Sequence, residues 1–168
     1  SSAYGEVNTG VSTINKGGKS HYVEAFANTP IIEDKLSIRT VVFDSKDGGY
    51  IDNVFGTNIF SDDDNSNVVE KDFNEWEQKG ARVTALWSVN DSWDVNLMVM
   101  QQDQHSKGDW LSDPGAPGLD DLEIVRFHKD DRQDKWWISA LNLTGDLGFA
   151  ELSLTSSYLD REITYEFD

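Results

Sequence analysis

Residues 28–56 read NTPIIEDKLSIRTVVFDSKDGGYIDNVFG: two apolar runs joined by a very short polar turn, the second opening into a long acidic loop. A soluble sheet has no particular reason to turn tightly at one strand end and loosely at the other more than once. Within "KLSIRTVVF", Leu36, Ile38, Thr40 and Val42 alternate with Ser37, Arg39 and Val41. Period two is the pattern of a strand with one apolar and one polar face.

The alternation recurs along the chain. "ARVTALWSV" sets Val83, Ala85, Trp87 and Val89 against Arg82, Thr84, Leu86 and Ser88. "SWDVNLMVM" sets Trp93, Val95, Leu97 and Val99 against Asp94, Asn96, Met98 and Met100, and "FAELSLTSSY" does the same with Leu152, Leu154 and Tyr158. "GEVNTGVSTI", "HYVEAFANTPI" and "WWISALNLTG" read similarly, giving about seven strands. "NVVEKDFNEWEQKG" reads equally as a short helix or a strand end.

The connections show the same asymmetry each time. "IIEDKL", "VNDSW" and "TGDLGF" carry the Asp, Asn, Ser and Gly that tight hairpins need. Between them run long polar segments, roughly Ser45 to Trp76 and Asp103 to Lys135, with a brief "NKGGKS" connection nearer the start. The tight turns therefore gather at one end of the sheet and the loops at the other, as in outer-membrane barrels. A soluble sandwich scatters both kinds over both ends. Trp87, Trp93 and Phe149 lie near the tight turns, while Trp136, Trp137 and Tyr158 lie toward the other strand ends, in the manner of two interfacial girdles.

The 168 residues suffice for one domain, and a net charge of −17 argues against nucleic acid, whose phosphates require basic neutralisation. The chain has no cysteine, so disulfides and thiolate chemistry are excluded. No stretch approaches the ~18 apolar residues of a transmembrane helix, a test that says nothing of barrel strands. The opening "SSAYGEVNTG" shows no basic segment followed by an apolar core.

Three collinear segments resemble the barrel of TonB-dependent outer-membrane receptors of the iron-complex type: residues 28–54, residues 72–104 and residues 130–168, with "PIIEDKLSIR" and "DLGFAELSLTSSYLDRE" the most specific pieces. The resemblance implies an all-β, antiparallel up-and-down meander: an incomplete transmembrane β-barrel of about seven strands with long loops at one end. In such receptors a plug fills a lumen of ~22 strands. Residues 1–168 accordingly read as a partial barrel domain, an internal stretch following the plug, with both sheet edges unpaired. The resemblance further implies location in the bacterial outer membrane, contact with outer-membrane lipid, energy from the TonB complex by way of the plug, and import of a scarce small-molecule nutrient such as an iron–siderophore complex. The rival from another class is a secreted soluble carbohydrate-binding β-sandwich, to which six tryptophans and an acidic surface are also suited.

No enzyme motif is present: there is no Gly-x-Ser-x-Gly, phosphate-binding glycine loop or His-Glu-x-x-His. No catalytic, cofactor or metal residue is assigned, and no cofactor is expected. "SDDDNSN" offers oxygen ligands without EF-hand spacing and reads first as a solvated loop tip. His105 and His128 with Asp130 and Asp131 contain ligand types for a transition metal, the plainer reading being surface scatter. For ligand contact the loops offer Tyr50, Trp110, Arg126 and His128, beside Phe127: Trp110 to stack, Arg126 to fork an anionic group. Arg39 and Arg82 face the wet side of the wall and are expected to pair with carboxylates of neighbouring strands or of a plug.

Overall fold

A computed structural model describes residues 2–167. Among them there is no helix: the elements are β1 (Tyr4–Thr13), β2 (Lys19–Ile32), β3 (Leu36–Asp47), β4 (Asp52–Asn53), β5 (Trp76–Asn90), β6 (Trp93–Lys107), β7 (Glu123–Ile124), β8 (Asp131–Asp146) and β9 (Glu151–Glu166). Seven form one antiparallel sheet in the order β1-β2-β3-β5-β6-β8-β9, an up-and-down meander, while β4 and β7 pair in parallel within the loops. β1 and β9 are the sheet edges, so the sheet is open and no closed barrel forms among the described residues.

The three short connections share one rim. Lys35 N–H donates to Ile32 O at 3.1 Å across the first, with Asp34 at φ 54°. Asn90 Oδ1 accepts from Ser92 N–H at 3.0 Å in the second. Asp146 Oδ1 accepts from Gly148 N–H at 2.7 Å in the third, where Gly148 has φ 80° and so occupies the left-handed region that favours glycine. The other rim carries residues 14–18, 48–75 and 108–130. The expected polarity of the hairpins is therefore present in the fold.

Register aligns the strands into rows. Leu36, Trp87, Val95, Leu143 and Leu154 form one row, followed by Ile38, Ala85, Leu97, Leu141 and Ser156, then Thr40, Val83, Val99, Ser139 and Tyr158. The fourth is Val42, Ala81, Gln101, Trp137 and Asp160. These rows share one face because paired residues project to the same side. The opposite face at these heights holds Arg39, Thr84, Asn96, Asn142 and Thr155, with Met98, Met100 and Ile138 among them.

Neither face is covered. Val83, Leu97, Val99 and Leu154 are each roughly half exposed, and among the described residues Val41 is the one buried hydrophobe of the seven-strand sheet. The described chain exposes 11440 Å² at a mass of 18.9 kDa. A compact monomer of this mass exposes about 8,300 Å². The excess of about 3,000 Å² is what a single uncovered layer costs in contact. A sandwich needs two layers burying the Leu36, Val95 and Leu154 sides against each other, and no second layer lies on the sheet among the described residues.

Three sequence expectations change. The strands run well past their apolar stretches, so the loops begin later and end earlier than the expected Ser45–Trp76 and Asp103–Lys135. Above the fourth row lies Asp44, Lys79, Asp103, Lys135 and Glu162, where hydrophobic periodicity vanishes but the backbone ladder continues with opposite charges facing each other. Trp136 leaves the expected aromatic girdle, since neighbours in a strand face opposite sides. Trp137 stays in it, its ring centroid 5.2 Å from that of Tyr158. Arg39 takes Asn28 Oδ1 at 3.2 Å and lies 4.2 Å over the Phe26 ring, rather than pairing with a carboxylate.

Candidate functional site

The long-loop rim is a folded cap rather than a set of loose excursions. Its apolar centre is Ile51, Phe73 and Ile124, with Tyr50 packed against it. Such a small centre cannot hold 50 residues by burial alone, and three buried asparagines complete the work. Asn74 Oδ1 accepts from Tyr50 and Ile51 N–H at 2.7 and 2.8 Å. Asn53 accepts from Arg126 N–H at 2.7 Å and donates to Val68 O and Arg126 O at 2.8 and 3.2 Å. Asn65 accepts from Gly56 N–H at 2.8 Å and donates to Val54 O and Arg126 O at 2.8 and 3.0 Å.

These side chains do for irregular backbone what a ladder does for strands, satisfying buried donors and acceptors that water cannot reach. The parallel β4–β7 pair ties the two long loops together, and Gly18 N–H to Gly49 O at 2.7 Å ties in the first connection. A Cβ at Gly49 would collide with the Asp72 carbonyl, so that crossing requires glycine.

Charge dominates the cap surface. Residues 48–75 carry seven Asp or Glu against Lys71, a net −6, and residues 108–130 carry six against Arg126 and Lys129, a net −4. At its base the Glu75 carboxylate bridges Lys46 at 2.7 Å and Lys107 at 3.2 Å, and Lys46 also meets Glu77 at 3.1 Å. Partial burial pushes the Glu75 carboxyl up, but hydrogen bonds and charge from Lys46 and Lys107 together outweigh it and hold the group below its ordinary value. His105 Nε2 meets Asp131 Oδ1 at 2.6 Å, and Arg161 grips Asp134 through two nitrogens.

The structure distributes the four expected contact residues unequally. Arg126 has its backbone clamped by Asn53 and Asn65, and its Nε lies 3.4 Å from Asp130 Oδ2. His128 is exposed on a hollow with Asn53, Val68, Phe73, Lys107 and Asp130. Trp110 is 72 % exposed beside a neighbouring hollow with Ser106, Arg132, Phe167 and the same Asp130 and Asp131. Arg126, His128 and Trp110 are thus gathered about Asp130 and Asp131, whereas Tyr50 packs, half-buried, against the apolar centre.

No protein-family model, curated protein or solved structure matches the chain. Among the described residues no grouping of three or more His, Cys, Asp or Glu is placed to hold a metal ion. His105 is taken up with Asp131, and in the acidic tip Asp64 turns back onto Ser66, whose hydroxyl and N–H donate to it at 2.6 and 3.0 Å. Those two bonds hold the Asp64 carboxyl below its ordinary value. The three clamping asparagines were invisible in the sequence, because loop asparagine is common and only burial distinguishes these. Arg126 was legible as a loop cation, but its partner Asp130 was not.

Proposed function

We propose that this chain forms part of the wall of an outer-membrane TonB-dependent receptor that imports a scarce nutrient such as an iron–siderophore complex. The observation that carries the reading is the four-row apolar band left uncovered on a single-layer sheet. Soluble monomers rarely expose contiguous apolar patches of more than a few hundred Å². Lipid is the solvent in which such a band is stable, provided every backbone group finds a partner.

Strand direction supports a larger wall. In a seven-strand meander β1 and β9 run the same way, so they cannot close on each other antiparallel. Both edges need neighbours running the opposite way, as further strands of a barrel with an even number would supply. The plug and the TonB complex belong to the same proposal, as does the small-molecule ligand, met by Trp110, Arg126 and His128 on the cap. Tyr50 serves that surface from beneath by packing its centre. No catalytic step is part of the reading.

Fractionation of the native protein tests it. It is expected in the outer membrane, resistant to extraction by salt, with uptake of labelled iron–siderophore that stops when TonB is absent. Recovery in a soluble fraction would contradict the wall; uptake independent of TonB would contradict the transport assignment alone.

A further inference from the structure

All strands of the seven-strand sheet but β1 are longer than a membrane requires, and their chemistry changes abruptly at one level. A transmembrane strand needs ~9–11 residues, whereas β5, β6, β8 and β9 have 15 or 16. From Leu36 to Val42, as from Trp87 to Ala81, the apolar band spans six steps of ~3.4 Å, about 20 Å along the strand. One row further on, five consecutive strands present Asp44, Lys79, Asp103, Lys135 and Glu162 on the same face. The next row is His21, Lys46, Glu77, His105 and Gln133.

We propose that the Asp44–Lys79–Asp103–Lys135–Glu162 row marks the bilayer surface on the loop-bearing side and contacts the lipid headgroup layer, leaving the upper strand ends and the cap standing clear of lipid. This rests on the membrane-wall reading above and adds the depth of insertion and the residues that set it. A row of five charges followed by a row of polar and charged side chains cannot sit in hydrocarbon, whereas the four rows below carry a single charge, Asp160, in the row next to the boundary. The Trp137 and Tyr158 rings, in contact and tilted to each other, flank that boundary from below, where amphipathic rings favour the headgroup level. Every member of the charged row faces a neighbour of opposite sign across the ladder, so the row is nearly self-compensated and attachment does not require an anionic lipid.

The absence of cysteine allows a direct test. Ala85→Cys, Ala81→Cys, Lys79→Cys and Glu77→Cys climb one face of β5. Each variant of the full chain is labelled with a nitroxide in phosphatidylcholine vesicles, and its collisions with oxygen and with a water-soluble nickel chelate are compared. Oxygen is expected to dominate at positions 85 and 81 and the chelate, by several-fold, at 79 and 77, with the crossing unmoved when phosphatidylglycerol is mixed in. Oxygen dominance persisting at 79 and 77, a crossing below 81, or a crossing that moves with lipid charge would overturn the assigned surface while leaving the wall intact. Chelate dominance at all four positions would overturn both.

Discussion

Replacing Asn65 with alanine loosens the cap without removing a contact of the sheet beneath it. Asn65 is fully buried, and its side chain takes the Gly56 N–H and serves the Val54 and Arg126 carbonyls, all within 3.0 Å. Three hydrogen bonds at ~1 kcal/mol net, with a stranded buried donor costing ~1–3 kcal/mol, set the upper range of the loss. Solvent entry into the vacated space and the surviving Asn53 bond to Arg126 O reduce it to about 3 kcal/mol. That corresponds to roughly a hundredfold in local opening. Amide hydrogen exchange reads it directly, because cap and sheet open as separate units when few contacts join them. Protection at Val54, Gly56 and Arg126 should fall by that factor while amides of β5 and β6 in the apolar band hold theirs. A fall of less than tenfold, or an equal fall in cap and sheet, would refute the argument that asparagine side chains hold these loops.

Three further outcomes follow from the geometry. Leu97→Arg, in the second apolar row, should destabilise the bilayer-folded state by ~2–4 kcal/mol, and Asn96→Arg on the opposite face by less than ~1 kcal/mol, measured by urea titration in phosphatidylcholine vesicles. Glu75 has its folded pKa below the unfolded value, so its contribution is fully present above the ordinary carboxyl value of 4.5 and is lost as pH falls through the folded pKa. Exchange protection at the base of the cap should therefore decline on the acid side, less steeply in Glu75→Gln. Gly148→Ala places a Cβ at φ 80° and should cost ~1–2 kcal/mol in a thermal melt, with the cap amides unaffected.

The sequence by itself determined the meander, its faces and its hairpin polarity. Those features live in nearest-neighbour chemistry: alternation along Leu36–Val42 and Val83–Val89, and turn residues such as Asp34, Asn90 and Gly148. Tertiary structure alone decided where the strands end and how the loops are held. Asp103 and Lys135 look like loop residues until register sets them opposite each other, since the benefit of a cross-strand charge pair depends on a partner dozens of residues away. The same holds for Asn53 and Asn65, whose hydrogen bonds reach Arg126 across 73 and 61 residues. Local pattern encodes which face a side chain takes, but only the folded chain brings distant polar groups close enough for one to satisfy another.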